Sequence, residues 1–443
     1  KIKSLMHQFC KLLLVLSFIF FSCKKSSISL DEKKLNDIIN KYVSNDFYPF
    51  LHVRIENEDG KVTYEHSAIN KLAHPDLDVD GNSLIRIWSM SKIVTISIVM
   101  NLVENGLLKL DDPVEKFIPE FKNLKVAQSQ DGRSLSEFAA GSIFEGPLDD
   151  RMELACPSEL VNNDSVMMVK HLIDHTAGFY YANTKIECLD MPIINKDLVM
   201  AENSDSLISL LSRLPLIHHP GERYHYGLNT TVLGLVAERA TNLSLEELVH
   251  EKITGPGSFE DLKFKLNDGD TLIEAMTFRD GYFREPLKGE MDILGRNTPN
   301  YDKNQKLYFG GAGLIASSNA YADYLRFWLN DGKLGNERFL KESTISSMVN
   351  SVRKKSGYGT DTDFFFFITG DSTLSQGKGD KGLWEGGGYE GTTFWIDHER
   401  GFVVVIMTQV WWPKEGAYQF RDEFRGELYR QIFDYENKPF PNL

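Results

Sequence analysis

The sequence predicts an α/β (α+β) protein: a central antiparallel sheet flanked by helices, plus a mainly helical second lobe. Three observations predict it. A helical segment and then a hairpin open the folded part of the chain. A hairpin and then a helix close it. A long, mostly helical stretch, at about residues 111–304, lies between them. Two such hairpins can pair into one sheet whose faces the helices cover.

The first element has apolar residues at Leu35, Ile38, Ile39, Tyr42 and Val43, the spacing of one helical face over residues 32–43. Residues 51–55 and 61–65 alternate around Glu58-Asp59-Gly60, which predicts a hairpin. An apolar helical run at 93–103 follows and closes on Asn105-Gly106, a C-terminal cap. Within the helical stretch, residues 128–163 are polar and contain Gly, Ser and Asp, and read as an insertion. A helix is expected at 321–329. Strands are expected at 364–369, 392–397 and 402–408, the last two joined by His398-Glu399-Arg400-Gly401. The four phenylalanines from Phe364 read as a strand buried on both faces. An amphipathic helix at 417–433 ends the fold.

The chain has 443 residues, 42% of them hydrophobic, enough for a substantial core. Its net charge of −14 argues against a nucleic-acid partner, which needs basic patches. The first 22 residues read as a secretory signal rather than fold. Lys1, Lys3 and Lys11 precede a ten-residue, largely apolar run that is too short to span a bilayer. Residues 23–30 read as a tether. Cys156 and Cys188 remain beyond the leader, in a compartment that permits disulfides, so a Cys156–Cys188 bridge is a candidate. No C-x-x-C pair suggests zinc. His171 and His175 are four apart, but Leu172 stands where a zinc-helix glutamate belongs, so neither a metal nor any other cofactor is expected.

The chemistry centres on Ser89-Met90-Ser91-Lys92. A serine and a lysine three apart on a helix face the same way, pairing a nucleophile with a proton acceptor. S-x-x-K starts at Ser22, Ser89, Ser351 and Ser375, but only the Ser89 copy leads into a long apolar helix. A serine hydroxyl needs a positioned base. At a helix start its backbone N–H is free and the dipole is positive, so that N–H can form half of an oxyanion hole.

Residues 84–121 resemble the active-serine segment of the serine β-lactamase and penicillin-binding protein superfamily, in its class C β-lactamase-like branch, which includes family VIII esterases. His171-Leu172-Ile173-Asp174-His175-Thr176-Ala177-Gly178 is similar to that branch's H-T-S-G segment. Pro220-Gly221-Glu222-Arg223-Tyr224-His225-Tyr226 is similar to its P-G-x-x-F-x-Y segment. The resemblance implies a β-lactamase/transpeptidase-like fold over 31–443. It implies Ser89 as nucleophile and Lys92 with Tyr226 as the proton-handling pair, with a Lys92 ammonium bringing the Tyr226 phenol down toward phenolate. Phe20-Phe21-Ser22-Cys23 resembles a lipobox, which implies lipidation of Cys23 and a membrane-anchored protein on the bacterial envelope, facing the periplasm or exterior.

Two positions depart from the pattern. Leu228 stands where an asparagine often follows the tyrosine, and Asn229 comes one later, as a candidate substrate ligand. The third motif reads Trp384-Glu385-Gly386-Gly387-Gly388-Tyr389-Glu390-Gly391, with Glu385 (Gly386 if the register slips) where the family carries a cation. A glutamate there opposes a substrate carboxylate, and like-charge juxtaposition costs on the order of several kcal/mol. Gly387 suits a strand edge approached closely by substrate, and Gly388 or Tyr389 is expected to complete the oxyanion hole. Tyr180, Tyr181, Trp384, Trp411 and Trp412 are candidate cleft walls. The expected activity is an extracytoplasmic serine hydrolase that cleaves small esters or amides through an acyl-enzyme. A D,D-peptidase or β-lactamase, and a non-catalytic binding protein on the same fold, are the alternatives.

Overall fold

A computed structural model describes residues 30–139, 159–288, 290, 293–295 and 297–441. The signal and lipidation sequences, including Cys23, and Cys156 lie outside them.

Helix α1 (Glu32–Ser44) starts on Asp31, whose side chain accepts from the Lys34 N–H, and buries Leu35, Ile39, Tyr42 and Val43. Strands β1 (Phe50–Asn57) and β2 (Val62–Ile69) form the opening hairpin, with Gly60 in the left-handed region at its turn. Helix α2 (Ser91–Glu104) is buried from Ser91 to Leu102, so it is the central helix rather than a surface one. Its C-terminus is a Schellman motif. Gly106 has φ +74°, its N–H reaches Val103 O, and the Leu107 N–H reaches Leu102 O.

Helix α3 (Asn229–Thr241) packs on α2, and α4 (Ser318–Leu329) packs on the sheet. Five short strands and one longer one complete the sheet: β3 (Lys354–Lys355), β4 (Gly359–Asp361), β5 (Phe367–Thr369), β6 (Trp384–Gly387), β7 (Thr393–Asp397) and β8 (Phe402–Met407). Helix α5 (Gln419–Tyr435) follows. The strand order is β3-β4-β5-β6-β7-β8-β1-β2, all antiparallel. β1 pairs with β8, so strands from the two ends of the chain lie side by side in the sheet, with β2 outside β1 at its edge. β8 is buried along its whole length. Val404 and Ile406 face α1 and α5, while Val403, Val405 and Met407 face the larger core that holds α2 and α4.

One expected strand is corrected. Phe364, Phe365 and Phe366 precede β5 rather than extend it, and Phe365 sits at φ +70°. A β-branched-poor aromatic run reads as a strand from its hydrophobicity, but this one turns. The candidate insertion begins and ends in paired strands, Lys125–Gln128 against Glu159–Asn162.

His52 on β1 is 1% exposed and bonds Ser67 Oγ and Ser318 Oγ, both at 2.8 Å. Burial lowers its pKa from 6.5 to about 4. The unfolded chain therefore takes up a proton below about pH 6.5 that the folded chain refuses. Stability is full above that pH and falls as pH drops toward 4. The unfolding free energy from urea titration should fall by about 2 kcal/mol between pH 7.5 and 5 on account of this group. His52→Gln should flatten that slope.

Candidate active site

A 3-10 turn, Trp88–Met90, feeds directly into α2 and carries Ser89. Trp88 is held at φ +44°, a costly conformation for a bulky side chain, and is 1% exposed. Packing therefore fixes the residue next to the nucleophile. Ser89 and Lys92 meet as the spacing predicts. Lys92 Nζ lies 3.1 Å from Ser89 Oγ, 2.6 Å from Gly311 O and 3.2 Å from Tyr181 Oη. Ser89 Oγ lies 2.6 Å from Tyr226 Oη.

No carboxylate is among the hydrogen-bond partners of Lys92, and the side chain is fully buried. Burial pushes its pKa well below the ordinary 10.5. Once deprotonated, Lys92 can donate to Gly311 O and Tyr181 Oη and keep a lone pair for the Ser89 proton. Burial also raises the Tyr226 phenol well above 10. The expected pair of Lys92 and Tyr226 is brought together, with burial acting against a phenolate. Both shifts disfavour a Lys92 ammonium beside a Tyr226 phenolate and favour the pair of a neutral amine and a neutral phenol.

Three aromatic rings fix Tyr226. His175 stacks on it at 5.0 Å and 16°, Phe365 at 5.9 Å and 17°, and Tyr181 tilts against it at 5.7 Å. Lys92 Nζ lies 4.8 Å from the Tyr226 ring centre. His175 and Phe365 both have positive φ, 59° and 70°. His175 was expected to serve only a structural turn. The helix Val169–Ile173 ends before it, so His171 and His175 do not share a helix face. Burial pushes the His175 imidazole well below its ordinary 6.5, and its Nδ1 accepts from Asn229 Nδ2 at 3.2 Å.

Asn229 is corrected as a substrate ligand, and Tyr181 as a substrate-binding cleft wall. Asn229 is fully buried, and its amide also reaches Phe179 O and His225 O, both at 3.2 Å. It pins the His175 and Tyr226 loops to the start of α3. Tyr181, 2% exposed, is a partner of Lys92 and not part of the cleft lining.

The cleft beside Ser89 holds about 580 Å³ and is mostly apolar and aromatic, with Tyr224, Tyr226, Phe365, Phe367 and Tyr389 in its wall. Tyr389 packs edge-on to Trp88 at 5.3 Å and accepts from Trp411 Nε1 at 2.6 Å. Gly388 is needed where it stands, because a Cβ would meet Ile87 O at 2.5 Å. That close approach brings the end of β6 against the Ser89 segment. The Gly388 N–H is already given to Thr392 O at 2.8 Å, so it is not the expected oxyanion donor. Successive N–H groups on an antiparallel strand point to opposite neighbours. β5 pairs with β6 only at Trp384 and Glu385, so the Gly387 N–H is directed to the open, cleft-side edge. Glu385 occupies the third-motif position and lines the cleft, but it is ion-paired with Arg425 and lies 3.6 Å from Arg421. The expected repulsion of carboxylates is thus offset by cations from α5.

A family model described as Beta-lactamase matches residues 56–424. The chain is 25% identical over 350 residues to Esterase EstB of Burkholderia gladioli, covering 74% of this chain and 77% of that protein. It is 25% identical over 293 residues to monacolin J acid methylbutanoyltransferase of Aspergillus terreus, covering 65% of this chain and 61% of the transferase. The matches to the first-ranked curated relatives span 63% or less of those proteins' own length. Among solved structures, EstCE1, described as a hydrolase with promiscuous acyltransferase activity, superposes with a TM-score of 0.68 at 18% identity. It covers 90% of this chain and 98% of that one.

A buried lysine without a carboxylate costs stability. Lys92→Met should raise the thermal midpoint by roughly a few degrees and abolish phosphonylation of Ser89 by a fluorophosphonate probe. Lys92→Arg introduces a permanent cation that cannot serve as a base, and should slow that phosphonylation by about 10²-fold or more.

Proposed function

We propose a function from the premise that this chain belongs to the beta-lactamase family: it is a serine hydrolase that cleaves small esters or amides through an acyl-enzyme on Ser89. The observation that carries this reading is the carboxylate-free hydrogen-bonded set Ser89, Lys92 and Tyr226 at the edge of an apolar cleft.

Ser89 Oγ attacks the substrate carbonyl as its proton passes to Lys92 Nζ. The new C–O bond leaves a tetrahedral oxyanion, held by the Ser89 N–H at the start of α2 and the Gly387 N–H on β6. As the bond to the leaving group breaks, the proton returns from Lys92 through the Tyr226 hydroxyl to the leaving oxygen or nitrogen. Water then attacks the carbonyl of the Ser89 ester as its proton passes to Lys92; the bond from Ser89 Oγ to the acyl carbon breaks, Lys92 returns the proton to Oγ, and the acid is freed. An alcohol in place of water gives acyl transfer by the same steps. The names of the relatives, an esterase and a methylbutanoyltransferase, support both outcomes.

The cleft opens onto Ser89 rather than closing over it, which disfavours a purely binding role. The leader and the Phe20-Phe21-Ser22-Cys23 sequence support an envelope protein anchored by lipid at Cys23, facing the periplasm or exterior. Among the described residues, no helix is long and apolar enough to cross a membrane.

The leaderless protein should hydrolyse p-nitrophenyl butyrate, and Ser89→Ala should lose that activity by at least about a thousandfold. A chromogenic cephalosporin run in parallel should be turned over far more slowly. Faster turnover of the cephalosporin would replace the esterase reading with the β-lactamase one.

A further inference from the structure

We propose that Glu390 is a positioning residue for the chemistry at Ser89: with Arg86 and Trp88 it sets the distance between the two N–H groups that receive the oxyanion. This rests on the hydrolase reading above and on its oxyanion hole.

Glu390 lies in the turn between β6 and β7, where the Gly391 N–H returns to Gly388 O at 3.1 Å. A glutamate is almost never fully buried unless it is paired, and Glu390 is 0% exposed. Its Oε2 accepts from Arg86 Nε at 3.2 Å and from Gln409 Nε2. Arg86 is buried as well. Gln409 ties the pair together, because its Oε1 accepts from the Arg86 backbone N–H at 3.0 Å. Burial pushes the Glu390 carboxyl up from 4.5, and the Arg86 charge and the Trp88 indole N–H both oppose that shift. Neither Trp88 Nε1 nor Glu390 Oε1 has another partner among the described residues.

Desolvation offsets much of what a buried ion pair gives to stability, so its place in the chain matters more than its energy. Ser89 is three residues after Arg86, and Gly387 is three before Glu390. The pair therefore joins the two segments that carry the oxyanion donors. Each segment has its own support. Arg86 lies opposite Ile315, and the Ile87 N–H reaches Leu314 O at 3.1 Å. β6 is held by β7. Glu390 supplies a link between them. Gly388 against Ile87 O and Tyr389 against Trp88 are packing contacts, which resist compression. The ion pair resists separation. A donor that drifts from the oxyanion loses transition-state stabilisation, while the less charged ground-state carbonyl loses little.

A transition-state analogue tests this. Ser89 Oγ adds to the carbonyl carbon of butyl trifluoromethyl ketone, the serine proton passes to Lys92, and the ketone oxygen becomes an oxyanion in the hole. Glu390→Gln should weaken inhibition by this ketone about 10- to 100-fold and lower kcat/KM for p-nitrophenyl butyrate by a similar factor. Calorimetric binding of phenyl butyrate to Ser89→Ala protein should change less than about twofold when Glu390→Gln is added. Glu390→Gln leaves Arg86 buried and unpaired, so Arg86→Met/Glu390→Gln is the second variant. It should regain thermal stability but not ketone affinity. Ketone affinity that survives Glu390→Gln, or that returns together with the thermal midpoint in the double variant, would overturn the proposal. Wild-type protein that binds the ketone in a Glu390-dependent way but turns over no ester would sink the hydrolase reading alone.

Discussion

Lys92 is fully buried, and among the described residues no carboxylate is hydrogen-bonded to it. Removing an ammonium from water costs several kcal/mol, so the proton leaves instead. What remains is an amine with a lone pair 3.1 Å from the serine oxygen. The rest of the site follows from keeping that amine dry and aimed. Gly311 O and Tyr181 Oη take its two hydrogens, while Tyr226, Phe365 and Tyr181 surround it with rings.

The fold holds that arrangement under strain. Trp88, His175 and Phe365 each sit at positive φ, and each touches the site. Such backbone persists only where surrounding packing over-determines it. Here the packing comes from opposite ends of the chain. α2 and the 310–313 turn hold Lys92, the β6 edge holds the oxyanion side, and Asn229 ties the His175 loop to α3. Closing the sheet through β1 and β8 fixes the spacing between these parts.

The sequence made the catalytic set legible because chemistry constrains residue type. Ser89, Lys92 and Tyr226 announce themselves through S-x-x-K before an apolar helix and Pro-Gly before a tyrosine. Helices and hairpins at both ends were legible from periodicity. His175 and Phe365 were not, because stacking on Tyr226 depends on two left-handed residues in loops distant in sequence, and no periodic pattern encodes that. Asn229 and Tyr181 were misassigned as ligands because residue type cannot tell an inward-facing hydrogen bond from one offered to substrate. Gly388 was misassigned as a donor because strand register decides which N–H is free. The charge at Glu385 was legible, but not its neutralisation by Arg425, which lies 40 residues further along the chain.

The protonation state of Lys92 decides this account most directly. Protein labelled with ¹⁵N-lysine, with Lys92 assigned by comparison with Lys92→Met, would be titrated by NMR from pH 5 to 11. A midpoint for Lys92 well below the ordinary 10.5 of a lysine, shifted back upward when Tyr226→Phe admits water, agrees with a buried neutral base. A midpoint at or above 10.5 would mean a permanent ammonium, and would return the role of base to Tyr226.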